Sequence, residues 1–380
     1  MDPLISFILP NYNNQHVLDL FFTKFVENNT YDNYEFLIAD DGSEDDGLEI
    51  LYKWQESGKI KNMKIFPEKH RGIVHALNRC LFAAKGDFII RCDGDATIET
   101  KSFVEKFLEF YYIDPDKIGV ITSKVMTDWD AMPLHAIGRS IIQKEGIVDR
   151  GKIPIEETGK RTWDFVTKPV DNISDIIDKP AECDMALGVF TFCDRETALK
   201  IGGFDKNYPL WMEDDDFYLS FRLHNKKCFY LPSIEILHRF SLRGDRNPNN
   251  WSSNKKLSNK IKSLIYQKNQ KDKFTIIKLF GIPFFKYYDS GTSRTIYLFN
   301  LRLIAYKYPG WRNSILIHDY KYWKKKWGFD ILNPDMEYIK NIYKGTEILW
   351  NYNDELKSIG ENIISRYIDR QTDRQTDRQT

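Results

Sequence analysis

Apolar positions along the first 125 residues follow two alternating rhythms. "LISFILP" (4–10) is a short apolar, β-rich run stopped by a proline, and reads as a buried strand. "NNQHVLDLFFTKFVEN" (13–28) spaces its apolar residues three and four apart, which predicts a helix. The alternation continues. "YEFLIADDGS" (34–43) predicts a second strand, and 43–57 a helix with Ser43 as its N-cap and acids in the first turn. "NMKIFPE" (62–68) predicts a third strand, and 72–86 a helix closed by Gly86. "DFIIRCDGD" (87–95), "KSFVEKFLEFYY" (101–112) and "KIGVITSKV" (117–125) read as strand, helix and strand. Residues 125–180 lose the pattern and read as an insertion or a long loop. Residues 185–205 resume with a strand and a short helix. Residues 211–227 open acidic and become an amphipathic helix, and 228–240 add one or two strands.

Strands alternating with helices predict βαβ units, an α/β fold with a mainly parallel sheet and helices on both faces. Ligands of such sheets bind at the carboxyl ends of the strands. Those ends hold Pro10-Asn11-Tyr12, Asp40-Asp41-Gly42-Ser43 and Asp93-Gly94-Asp95, so polar residues far apart in sequence gather in one crevice.

Composition adds a division. The 380 residues are 42% hydrophobic and 14% aromatic, which supports a large core. Lys+Arg and Asp+Glu are both 55, so net charge selects no partner, yet residues 252–330 hold 17 Lys/Arg against 4 Asp/Glu. A block so basic meets something anionic, or is a solvated basic face. Within it "KLFGIPFFKY" (278–287) and "YLFNLRLIAYK" (297–307) form a weak repeat of aromatic, aliphatic and basic residues, suited to a membrane surface. No nucleic-acid motif accompanies the charge, so nucleic acid is not expected as a partner. The expected organisation is a catalytic domain over 1–245, a basic, mostly helical extension over 246–368, and a disordered "DRQT" repeat over 369–380. The five cysteines show no paired spacing, and residues 1–14 show no basic leader. No apolar run reaches the roughly 18 residues that a spanning helix needs. A cytoplasmic protein, peripheral on the inner membrane face, is the expectation.

Candidate chemistry starts at Asp93 and Asp95. Two carboxylates flanking Gly94 at a strand end are either a polar turn or oxygen ligands for Mg²⁺ or Mn²⁺, with Gly94 admitting close backbone approach. Asp40 and Asp41 can accept from a base or a ribose hydroxyl. Asn11 and Tyr12 offer a hydrogen bond and a stacking face, and Arg71 and Asn78 lie on the third βα unit, where Arg71 can reach a phosphate or a base edge. "WMEDDDF" places Glu213, Asp214, Asp215 and Asp216 at a helix start. The dipole favours acids there, but four in a row exceed capping, and one of them can serve as a general base beside Trp211, a stacking surface for a sugar. His238 follows a strand and can complete a metal shell.

In order, "ISFILPNYNN", "FLIADDGSEDD", "HRGIVHALNRC", "IIRCDGDATI", "LGVFTFCDRETALKIGGFD", "WMEDDDFYLSFRL" and "ILHRF" resemble family 2 glycosyltransferases of the GT-A fold, of the bacterial lipopolysaccharide and capsule type. The resemblance implies an inverting enzyme with Mn²⁺ or Mg²⁺, a UDP-sugar donor and a saccharide or glycolipid acceptor. It implies that Pro10, Tyr12, Asp41 and Arg71 hold the uridine, that Asp93 and Gly94 contact ribose or sugar, and that Asp95 and His238 serve the metal. It makes Asp214 the base, Glu213 a contact to acceptor or donor sugar, and Trp211 a sugar contact. Two departures stand out: His70 where Asn is usual, and the extra acids after Glu213. A non-catalytic nucleotide-sugar-binding scaffold of the same fold is the rival reading, against which the intact Asp95 and Asp214 speak.

Overall fold

A computed structural model describes residues 2–128, 134–136, 139–142, 146–149, 177–209, 212–239, 242, 266–271, 274–279, 282–289, 293–298, 301–307, 311–331, 334–346, 348 and 354–377. The expected strands and helices are present. They are β1 (Ile5–Asn11), α1 (Leu18–Asn28), β2 (Tyr34–Asp40), α2 (Gly47–Glu56), β3 (Met63–Pro67), α3 (Ile73–Ala83), β4 (Phe88–Cys92), α4 (Phe103–Tyr111) and β6 (Ile118–Thr127), with a short β5 (Ala96–Ile98) following the D-x-D turn. Further along lie β7 (Leu134–Ala136), β8 (Arg139–Ile142), β9 (Gly146–Asp149), β10 (Ala181–Cys183), β11 (Phe190–Asp194), α5 (Arg195–Ile201), α6 (Glu213–Arg222) and β12 (Lys227–His238).

The main sheet runs β10-β12-β6-β11-β4-β1-β2-β3. β1 pairs in parallel with both β2 and β4, and β2 with β3, while β11 is antiparallel between β4 and β6. The chain order therefore reverses at β1/β4, so the carboxyl ends of those strands splay apart and leave a crevice. Two apolar layers cover the sheet. On one face Phe7, Phe21, Phe22, Phe25 and Phe36 pack with Phe103 and Phe107. On the other, Leu77, Leu81, Phe217 and Phe221 pack with Trp323 and Trp327. All five cysteines are free and buried in these layers.

Two local expectations change. Ser43 does not cap α2; its hydroxyl donates to Asp40 Oδ1 at 2.6 Å, tying the end of β2 into the crevice. Gly86 does not terminate α3; a Cβ there would lie 2.6 Å from the Leu4 carbonyl oxygen, so glycine is required by close approach to β1.

The domain boundaries also differ. The chain forms one unit from Met1–Arg243 with Tyr320–Thr380, and a second from Gly244–Asp319. The second contains β13 (Tyr266–Lys271), β14 (Phe274–Leu279), β15 (Ile282–Asp289), β16 (Ser293–Leu298) and β17 (Leu301–Lys307), an antiparallel sheet in chain order, where helices were expected. The weak repeat marks its hairpins. Leu279 pairs with Ile282 and Leu298 with Leu301, and each hairpin carries a register shift two residues before its turn. Mixed aromatic, β-branched and basic residues suit a strand as well as an interfacial helix, so composition alone did not separate the two.

The expected helices follow as α7 (Trp311–Trp327), α8 (Met336–Ile342) and α9 (Asp354–Asp377). From Tyr320 onward they belong to the first unit because their apolar faces complete its core. Ile363 is 1% exposed, and Tyr367 meets Phe110 edge-on at 4.9 Å. The "DRQT" repeat is helical through Asp377 rather than disordered. A period of four sets Arg370 three residues before Asp373, and Arg374 three before Asp377, the spacing at which opposite charges support a helix. Arg374 also reaches Glu109 on α4 at 2.8 Å. If α9 is a working part of the core, Ile363→Ala should cost about 2–4 kcal/mol of unfolding free energy in denaturant titration. A cost within about 0.5 kcal/mol, as for a surface site, would contradict that placement.

Candidate functional site

Three groups of residues meet at the strand ends. The first is built on Asp41. Its carboxylate accepts from the backbone N–H of Arg71 at 2.7 Å and of Gly72 at 2.8 Å, and lies 2.8 Å from His70 Nδ1. Asp41 thus fastens the β3–α3 turn to β2, with its oxygens already engaged. Gly42 makes this possible: at φ +74 a Cβ would lie 2.8 Å from His70 N. Asp40 is also internal, accepting from Asn11 Nδ2 at 2.7 Å. Above them Tyr12 and His70 stack at 4.4 Å, both exposed. The residue that departs from the family pattern is therefore the partner of the expected stacking tyrosine. The Arg71 side chain is exposed with Nη1 3.2 Å from His75 Nε2, and Pro10 is half-buried at the end of β1. Asn78 is not at the crevice mouth; its amide bridges to Phe204 N and O, joining α3 to the loop after α5.

The second group is Asp95 and His238, with Oδ1 and Nε2 3.2 Å apart and both residues buried. β5 pairs with the end of β12, Ala96 opposite His238, and this register brings the imidazole to the aspartate. The Arg239 N–H donates to the Asp95 carbonyl at 2.7 Å and closes the contact. Carboxylate oxygen with imidazole nitrogen is a donor set that suits Mn²⁺ or Mg²⁺, and two protein ligands leave positions for phosphate oxygens. Among the described residues no cluster of three or more His, Cys, Asp or Glu with metal-site geometry occurs.

The third group surrounds the start of α6. Asp214 Oδ2 accepts the Gly188 N–H at 2.9 Å, and its Oδ1 accepts the Asp215 N–H at 2.9 Å. Arg91 on β4, 3% exposed, lies 3.5 Å from Asp93 and 3.4 Å from Glu213. A Cβ on Gly188 would lie 2.4 Å from Arg91 Nη1 and 2.9 Å from Asp214 Cβ, so glycine lets the guanidinium and the acid approach. Burial pushes the Glu213 carboxyl up to about 8; the Asp214 charge adds to this and Arg91 opposes it. Glu213 accordingly holds its proton at neutral pH and can donate a hydrogen bond. Burial disfavours the Arg91 charge, but the Asp93 carboxylate opposes this and the guanidinium stays charged. Gly94 is buried near Asn14 and Leu18. Trp211 lies outside the described residues.

Arg91 and Gly188 carried no role in the sequence reading. The signal for Arg91 was visible, a lone cation within an apolar strand run, but its partners arrive from α6 and only the fold supplies them.

The model of the family "Glycosyl transferase family 2" matches residues 6–161. Over these residues the chain is similar to glycosyl transferase family 2. The family 2 match ends before Asp214 and His238, so the structure, not the match, joins those two to the crevice. The chain is 33% identical over 96 residues to a cholesterol galactosyltransferase of Borreliella burgdorferi, covering 25% of this chain and 26% of that one. It is 26% identical over 241 residues to a chondroitin synthase of Pasteurella multocida, covering 60% and 23%. The matched region spans about a quarter of the length of each of these relatives. Among solved structures, a mannosyltransferase from Pyrobaculum calidifontis in complex with GDP-Man and Mn²⁺ superposes with TM-score 0.44 at 16% identity, covering 62% and 57%.

A carboxyl whose pKa is raised on folding binds its proton more tightly in the folded state. Its contribution is full below the unfolded value, near 4.5, and is lost as pH rises through about 8. Glu213→Gln should therefore gain stability relative to the parent between pH 5 and pH 8.5, as followed by denaturant titration at both. A difference independent of pH would show that Glu213 is already ionised.

Proposed function

We propose that the chain is a metal-dependent inverting glycosyltransferase. It moves a hexose or N-acetylhexosamine from a UDP-sugar to a saccharide or glycolipid acceptor in the synthesis of a surface polysaccharide. The observation that carries the reading is the contact of Asp95 with His238, a metal-type pair beside the crevice of a family 2 domain.

Placement at the crevice supports these roles for the residues the structure describes there. Tyr12, stacked on His70 at the rim, offers a ring face to the uracil, the turn that Asp41 fastens presents Arg71 to the nucleotide, and the end of β1 presents Pro10. Asp93 and the Gly94 backbone contact ribose or sugar. Asp95 and His238 hold the divalent cation, which when bound offsets the charge of the leaving diphosphate. Asp214, with one oxygen fixed by Gly188 N–H, takes the proton of the acceptor hydroxyl, which then attacks the anomeric carbon opposite the diphosphate. Glu213, holding its own proton, donates to a sugar oxygen, and Trp211 offers an apolar face to the sugar. Arg91, between Asp93 and Glu213, offsets the Asp93 charge near Asp214.

Residues 252–330, with 17 Lys/Arg against 4 Asp/Glu, would bind anionic lipid and place the chain on the inner face of the cytoplasmic membrane, at its acceptor. No helix among the described residues is long and apolar enough to cross a membrane.

UDP-Glc, UDP-Gal, UDP-GlcNAc and UDP-GalNAc should be offered with Mn²⁺ or Mg²⁺ and UDP release measured. One donor should stand out and its turnover should vanish on chelation. Asp214→Asn should lower that turnover by about 10²–10⁴ while UDP still binds. A flat, metal-independent response across the four sugars, or turnover retained in the Asn variant, would refute the reading.

A further inference from the structure

The run Glu213–Asp216 contains two acids more than the chemistry above requires, Asp215 and Asp216, and the described contacts show where Asp216 goes. Asp216 is 2% exposed, and both of its oxygens are taken by adjacent residues of α7. Lys326 Nζ donates to Oδ2 at 2.7 Å and Trp327 Nε1 to Oδ1 at 2.8 Å. The same ammonium donates to Asp205 Oδ2 at 2.9 Å, as does the Tyr322 hydroxyl at 2.9 Å. Asp205 begins the loop that leads into α6. One turn of α7, from Tyr322 to Trp327, therefore grips both the loop and the helix that follows it. That turn is itself anchored. Trp323 and Trp327 are buried, and the Tyr343 hydroxyl donates to the Trp327 carbonyl at 2.8 Å.

Asp214 and Asp216 lie about 200° apart around the helix axis. Asp214 is held from the sheet side by Gly188 N–H, and Asp216 from the opposite side by α7. The first turn of α6 is thus clamped between two supports. The helix dipole would favour acids here without any particular partner, so it does not account for a Lys–Trp pair matched to one carboxylate. Without those donors a buried charge would be left uncompensated, and the turn would rotate or lift to hydrate it.

We propose that Lys326 and Trp327 are positioning residues that hold Asp214 in register, so that the chain returning after the second unit completes the site. The proposal rests on Asp214 as the base, and its test separates the two. In the full-length protein, hydrogen exchange of peptides covering 205–222 should be followed for the parent, Lys326→Met, Lys326→Arg and Trp327→Phe. Lys326→Met should speed exchange in 213–222 about tenfold while peptides from β1, β2 and β4 keep their protection. With the accepted UDP-sugar it should lower kcat about tenfold or more, leaving the donor KM within about twofold. Lys326→Arg should restore most of both. Should Lys326→Met fail to fold, Trp327→Phe, which removes the indole N–H together with part of the ring, should give the same pattern at about threefold. Unchanged exchange in 213–222, or an equal loss of protection across the sheet, would overturn the clamp. Failure of every UDP-sugar with the parent would overturn the assigned reaction instead, and the exchange result would still decide the clamp.

Discussion

Four successive carboxyl groups, Glu213 to Asp216, are buried in the first turn of α6, where an ionised carboxylate without donors costs roughly 3–5 kcal/mol. The crevice is arranged around that demand. Glu213 keeps its proton and faces Arg91; Asp214 draws an N–H from the loop before β11; Asp216 draws two donors from α7. Each solution recruits a different part of the chain, so β4, the loop at Gly188 and the C-terminal helices are all committed to one helical turn. The switch in strand order between β1 and β4 opens the space, and these bonds determine which atoms face it.

The same demand explains what the sequence disclosed and what it hid. The strand ends were legible because apolar runs stop where polar residues begin, and the parallel register carries Asn11, Asp40 and Asp93 to one edge. The D-x-D motif and His238 could be named but not joined; joining them required the β5–β12 pairing, and a three-residue strand is too short to show in periodicity. Asp41 was read as an acceptor from the ligand; its oxygens also accept from the turn at Arg71 and Gly72, a use that no spacing reveals. Arg91 stood in plain sight as a charge inside an apolar run, but its meaning depends on an acid more than a hundred positions away.

The C-terminal part was misread for a related reason. Charge and aromatic content describe a surface, not a backbone, and the repeated "LF" segments proved to be hairpin ends. The tail looked too polar to pack. Its register of four, however, is near that of a helix, and α4 offers Glu109 as a partner. The domain boundary moved because the apolar residues after Tyr320 have their complement in the first unit.

The antiparallel sheet of the second unit repeats itself. From Leu279 to Leu298, and from Ile282 to Leu301, the step is the same, and each hairpin breaks register at the same point. A meander in which each hairpin bonds only to its neighbours can gain or lose whole hairpins at an edge without disturbing the others. The main sheet has less such freedom, since its parallel strands β1, β2, β3 and β4 are joined by crossovers. One protein therefore carries a part built of like hairpins and a part built on crossovers. Recombination between like hairpins would alter the first while leaving the crevice untouched.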